Sequence, residues 1–268
     1  SLSGTGSENF SVDSSGNISL VNALDYETAT SYTLALNASD GVNTTTSELI
    51  ITVDDVNEAP SLTNALAASS FAENVSTGTT IATASASDPE SQAITYSLSG
   101  TGSGNFAVDS SGNITLAAGL DYETATSYSL TLSASDGVNT TTNTLAISIS
   151  DVNEAPSLTN ALAASSFAEN ISTGTTIATA SASDPESQSI TYSLSGTGSD
   201  KFAVDSAGNI TLSSALDYET TTSYALTLTA SDGTNSTSNT INISVADVVE
   251  LSIALASSSI SLNETATS

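Results

Sequence analysis

Apolar residues in this chain recur at every second position. Ile94, Tyr96 and Leu98 are separated by single polar residues, and the same spacing holds for Tyr128, Leu130 and Leu132 and for Leu145, Ile147 and Ile149. Successive side chains of a strand point to opposite faces, so this period predicts strands with one buried face. Turn signals lie between them. Asp109-Ser110-Ser111-Gly112-Asn113 separates the Phe106/Val108 run from the Ile114/Leu116 run, and Asp136-Gly137-Val138-Asn139 joins two long runs as a hairpin. No long window has helical spacing. Thr, Val and Ile suit strands. Aromatic residues make up only 5% of the chain, which predicts a thin core of Ala, Leu and Ile.

The pattern repeats. SLSGTGS begins at Ser1, Ser97 and Ser193, a period of 96 residues. LDYE begins at Leu24, Leu120 and Leu216, and ASDG at Ala38, Ala134 and Ala230. About 100 residues can bury a core of their own, so each period is a small domain rather than a solenoid turn. Residues 1–60 read as the C-terminal part of a first repeat, 61–156 as a complete second repeat and 157–250 as a complete third. Residues 251–268 read as the first strand of a fourth, more divergent repeat, with Leu262, Asn263, Glu264 and Thr265 standing against Phe71, Ala72, Glu73 and Asn74. The strands missing from the first repeat are expected from a preceding segment or a neighbouring chain, because an open sheet edge invites pairing. About seven short strands per period predict an all-β chain of tandem Greek-key, seven-stranded β-sandwiches arranged as a linear rod.

Charge narrows the chemistry. One basic residue, Lys201, stands against 29 acidic ones, for a formal net charge of −28. Such a surface repels nucleic acid and anionic membranes, and no apolar stretch reaches the length of a membrane span. The chain has no Cys, His, Met or Trp. Thiol chemistry and a Ser–His nucleophile are therefore excluded, and a sugar cleft between paired carboxylates lacks its usual aromatic walls. The chain reads as a non-enzyme.

The acids are grouped. In the second repeat they fall in FAEN, SDPE, LDYE, ASDG and DVNEAP, each at a strand end or in a connection, and all but DVNEAP recur unchanged in the third repeat. Grouped carboxylates without cationic partners repel unless an ion neutralises them. Oxygen donors without His or Cys suit Ca²⁺ rather than zinc or copper.

These motifs, in this order and spacing, resemble the cadherin repeat of the prokaryotic type over nearly the whole chain. The resemblance implies Ca²⁺ held between successive domains. At the junction of the two complete repeats it implies Glu73, Asp121 and Glu123 from the repeat before, Asp151, Asn153 and Glu154 from the linker, and Asp184, Glu186 and Asp232 from the repeat after. At the preceding junction it implies Asp25, Glu27, Asp55, Asn57, Glu58, Asp88, Glu90 and Asp136. The last junction begins with Glu169, Asp217, Glu219, Asp247 and Glu250. Three departures stand out. Asp-Pro-Glu replaces the family's Asp-x-Asp. DVNEAP is one residue short of the family linker and lacks its second Asn. The third linker reads DVVELS, with Val249 in place of Asn.

The function expected from this is an extracellular, Ca²⁺-rigidified repeat array at the cell surface, serving as an adhesion protein or adhesin stalk. The alternatives are a structural subunit of an extracellular filament, sheath or surface layer, and spacer domains of a larger secreted enzyme. Expected partners are adjacent repeats of the array, identical chains through homotypic or filament contacts, and surface glycans, with no nucleic acid and no membrane insertion in this segment.

Overall fold

The computed structural model describes residues 1–64, 66–67, 69–160, 162 and 165–250. The strand expected within 251–268 lies outside the described residues. The chain divides into two compact units, residues 1–152 and the described residues from Asn153 onward.

In the first unit, residues 61–152 fold as a sandwich. One sheet has the order Thr95–Thr101, Ser127–Ser135, Thr140–Ser150 and Ser69–Ala72, and the other the order Phe106–Val108, Asn113–Leu116 and Thr80–Thr83. Seven strands thus make the two sheets, and Ser61–Leu62 with Ala86–Ser87 adds a short antiparallel pair. The two long strands meet through the Asp136–Asn139 turn and pair antiparallel, with Tyr128 opposite Ile147 and Leu130 opposite Leu145. The first strand, Ser69–Ala72, runs parallel to the end of the last, with Phe71 opposite Ile149.

The period-two pattern decides which face is buried. Ile114 and Leu116 from one sheet and Leu130, Leu132, Leu145 and Ile147 from the other are at most 1% exposed, and with Phe106, Ala84 and Ile149 they form the core. Burying a side chain of this size contributes about 2 kcal/mol. Tyr128 seals one end. Its ring meets Phe106 edge to face at 5.3 Å and 77°, and its hydroxyl accepts a hydrogen bond from Asn105 Nδ2 at 3.1 Å.

Residues 1–60 carry fewer strands. Among the described residues Thr44–Thr52 pairs only with Ser31–Ser39, and Phe10–Val12 only with Ile18–Leu20. Among these residues the buried apolar side chains are Tyr32 and Leu34. Leu49, the counterpart of the fully buried Leu145, is only half-buried here. With less surface packed over it, the same pattern buries less.

The second unit repeats the sandwich. Its sheets have the orders Ser165–Ala168, Ser236–Ala246, Ser223–Ser231, Thr191–Ser195 and Thr176–Thr179, Asn209–Leu212, Phe202–Val204. The core is again Leu- and Ile-rich, around Ile210, Leu212, Leu226, Leu228, Ile241 and Ile243.

Gly112 closes the Asp109–Asn113 hairpin at φ +81°, and a Cβ there would sit 2.3 Å from the Ala84 carbonyl oxygen. Gly137 also has positive φ, +102°, but faces open space. Gly137→Ala is therefore expected to cost only the backbone strain of a left-handed L-residue, about 1–2 kcal/mol. Gly112→Ala is expected to cost clearly more, because a main-chain carbonyl must also move. Urea denaturation of the full chain carrying each change measures the difference, and equal losses would contradict it.

Candidate metal centre

The parallel pairing of the first strand carries Glu73 to the end of the sheet, where its backbone N–H donates to Ser150 O at 3.2 Å. Its side chain is 6% exposed. Oε2 accepts from the backbone N–H of Tyr122 at 2.6 Å, and Oε1 from that of Val152 at 2.7 Å. One carboxylate thereby ties the first strand to the LDYE loop and to the start of the linker. In the second unit Glu169 does the same, accepting from Tyr218 N–H and Val248 N–H, each at 2.7 Å. A buried carboxylate is costly unless hydrogen bonds or a cation compensate it, and the protein supplies two main-chain donors to each.

Acids converge within each unit as well. In the first unit Glu27, Asp55 and Glu90 each place an oxygen within 4.8 Å of the others. In the second, Glu169, Glu219, Asp247 and Glu250 do likewise. Two ligands of one Ca²⁺, each about 2.3–2.6 Å from it, lie within about 5 Å of each other, so both spacings suit a shared ion. Asp88 Oδ2 and Glu90 Oε2, and their counterparts Asp184 Oδ2 and Glu186 Oε2, are buried with no hydrogen-bond donor. Buried acceptors rarely lack a partner, and a hard cation is one that the donor set would fit. Lys201, the chain's one basic side chain, is engaged elsewhere, donating to Ala215 O at 3.3 Å.

The Asp-Pro-Glu turn is strained where it presents these oxygens. Ser91 and Ser187, each following the Glu, have φ of +61° and +60°, and they are the non-glycine residues of positive φ among the described residues. Such strain persists only where the surroundings impose it. Asp88 Oδ1 accepts from Gln92 N–H at 3.0 Å, and Asp184 Oδ1 from Gln188 N–H at 2.9 Å, so each turn is closed by its own first acid.

Crowding moves the titrations. Glu58 is pushed up to about 7, first because it shares a hydrogen bond with the Glu90 carboxyl, then by desolvation and by the charges of Glu90, Glu27 and Asp55. Glu90 is lowered by the same shared bond, and Glu186 is lowered by the corresponding bond with Glu154. Glu219 is raised: against a hydrogen bond from its own backbone, desolvation and the charges of Glu169, Glu250 and Asp247 prevail.

Most of the remaining acids named from the sequence have local partners. Asp25, Asp121 and Asp217 close the loop after LDYE, each accepting from the backbone N–H and the hydroxyl of a Thr three residues on, at 2.8–3.0 Å. Glu123 and Asp151 are exposed in the first unit, and Glu154 is half-buried in the second. Asp136 and Asp232 accept from the backbone of their own hairpin turns and from the linker residues Asn57 and Asn153. Four residues that the acid pattern did not single out join them: Gln92, Gln188, Asn139 and Asn235. Their signal was their recurrence 96 residues apart, in SDPESQ and in the last position of the ASDG turn.

The Cadherin domain model matches residues 68–150 and 164–246. The chain is 35% identical over 257 residues to the protocadherin-like wing polarity protein stan of Drosophila melanogaster, covering 87% of this chain and 7% of that protein. It is 32% identical over 256 residues to human protocadherin Fat 1, covering 87% of this chain and 6% of that protein. It therefore spans less than a tenth of the length of these relatives. Among solved structures, mouse cadherin-23 EC22-24 superposes with a TM-score of 0.53 at 25% identity, covering 90% of this chain and 83% of that one. Protocadherin gammaB7 EC3-6, described as a cis-dimer structure, gives 0.52 at 27% identity, covering 92% and 66%. With two consecutive domain matches, relatives across most of its length and the sandwich described above, the chain belongs to the cadherin family as an array of tandem cadherin repeats.

Proposed function

We propose that this array is an extracellular adhesion segment whose junctions are stiffened by Ca²⁺. The observation that carries the reading is the set of buried carboxylate oxygens without donors, placed beside converging acids in a chain with one basic residue. In the first unit Glu27, Asp55 and Glu90 would hold an ion, supported by Asp88 and Glu58. In the second, Glu169, Glu219, Asp247 and Glu250 would do so. Asp121, Glu123 and Asp151 in the first unit, and Glu154, Asp184 and Glu186 in the second, are the remaining ligands proposed. The ion would supply the positive charge that the side chains lack. The protein's own part is to hold the oxygens at ion spacing, through the Glu169 tether beside Glu219, Asp247 and Glu250 and through the strained Asp-Pro-Glu turn that presents Glu90. Extracellular Ca²⁺ modules typically work at about 10⁻⁴–10⁻³ M, which matches the outside of a cell. The relatives, named as cadherins and protocadherins, support adhesion through further cadherin repeats, and a second copy of the chain is the partner proposed first.

Three outcomes follow. Raising Ca²⁺ from chelator to millimolar is expected to raise the melting temperature of the chain by binding linkage. An identical calorimetric transition in both conditions would refute metal binding.

The second concerns protons. Glu58 keeps its shared proton in the folded, metal-free chain, because its pKa lies near 7 rather than in the usual carboxylate range. The stability this confers is complete below about pH 4.5 and is lost as pH rises through about 7. An ion needs both Glu58 and Glu90 ionised, so Ca²⁺ binding near pH 6 is expected to release protons. Calorimetric titration in buffers of different ionisation enthalpy detects the release, and Glu58→Gln should reduce it. A release of the same size in that variant would exclude Glu58 as the source.

For the partner, microspheres coated with the chain are expected to cluster in millimolar Ca²⁺ and to disperse in chelator. Microspheres that stay dispersed in both conditions would leave the segment a spacer rather than an adhesive surface.

A further inference from the structure

The oxygens named from the sequence differ in what they have left to offer. Asp88, Glu90, Asp184 and Glu186 each keep a buried oxygen without a donor. Asp136 keeps none. Its Oδ1 accepts from the backbone N–H groups of Val138 and Asn139, both at 2.6 Å, and its Oδ2 accepts from Asn57 Nδ2 at 2.8 Å. Asn57 is in turn held at two more points. Its Oδ1 accepts from Gln92 Nε2, and its backbone carbonyl accepts from Asn139 Nδ2 at 2.8 Å. The second unit repeats every part. Asp232 Oδ1 accepts from Thr234 N–H at 2.5 Å and Asn235 N–H at 2.6 Å, and its Oδ2 from Asn153 Nδ2 at 2.9 Å. Asn153 Oδ1 accepts from Gln188 Nε2, and its carbonyl from Asn235 Nδ2 at 2.7 Å.

Neutral N–H groups thus donate to both oxygens of each carboxylate. The carboxylates of Asp136 and Asp232 are held below their usual range: burial pulls the other way, but the hydrogen bonds from the turn backbone and the linker Asn prevail. We propose that Asn57 and Asn153 are positioning residues that lash each linker to the repeat following it without metal, and that Asp136 and Asp232 anchor the lash rather than ligate Ca²⁺. This linker is one residue shorter than the one the resemblance implies, and its Asn is bonded to the following repeat at three points. The third linker lacks the device. Val249 stands where Asn57 and Asn153 do, and it is 90% exposed, so nothing in its side chain can make the same bonds.

Two measurements on the full chain test this. The first is backbone ¹⁵N relaxation in chelator. Glu154 and Ala155 are expected to be as rigid as the strands, with order parameters of about 0.85, falling below about 0.6 in Asn153→Val. Values unchanged in that variant would overturn the lash. Gln188→Ala removes one of the three holds and is expected to give an intermediate loss. Should Asn153→Val fail to fold, Gln188→Ala decides alone, and rigidity equal to the unsubstituted chain would overturn the proposal. The second is the number of Ca²⁺ ions bound, read by calorimetric titration. The Asp136→Asn, Asp232→Asn double variant is expected to bind as many as the unsubstituted chain, and fewer ions would show that the two Asp are ligands. The relaxation arm uses no metal, so it stands even where the titration shows no Ca²⁺ bound and the proposed function fails.

Discussion

A single kind of bond organises one end of each of the two complete repeats: a buried glutamate accepting two main-chain N–H groups. Glu73 holds Tyr122 and Val152, and Glu169 holds Tyr218 and Val248. Three segments distant in sequence are thereby fixed to one carboxylate: the end of the first strand, the loop before the penultimate strand and the exit from the last. The acids beside these anchor points inherit their places from this. Tyr122 and Tyr218 sit inside LDYE, and Val152 and Val248 follow the first Asp of each linker.

The hydrophobic cores answer to a different constraint and are almost independent of it. They are made of Leu, Ile and Val at alternate positions, with a Phe–Tyr edge-to-face pair at one end. That part was legible in the sequence because side-chain direction alternates in a strand whatever else the strand does. Leu130, Leu132, Leu145 and Ile147 could be assigned to one buried face from spacing alone. The small pair Ser61–Leu62 with Ala86–Ser87 could not, since two residues show no period.

At the candidate metal centre the sequence was legible by residue type and less so by role. Carboxylates that recur without cations identified the region, and the acids at ion spacing came from the expected groups. What spacing could not separate is an acid with an oxygen to spare from one whose oxygens are already taken. Asp88 and Asp136 look alike in sequence, each opening a short turn. They differ because Asp136 faces an amide from a linker 79 residues away, whereas Asp88 Oδ2 has no donor. Such pairings depend on the fold bringing distant segments together. The amides themselves are uncharged and common in loops, so they carry little signal before the fold is known.

The parallel pairing of Ser69–Ala72 with the end of Thr140–Ser150 has a mechanical meaning. Because the two strands run in the same direction, the chain enters a repeat at one end of this ladder and leaves at the other. A tensile load along the chain therefore pulls the two strands past each other lengthwise. The rungs between Ile147/Ser69 and Ser150/Ala72 are loaded together in shear, rather than opened one after another as in a peeled hairpin. The outermost pairing of the sandwich, and among its shortest, thus lies in the geometry in which a few hydrogen bonds resist the greatest force.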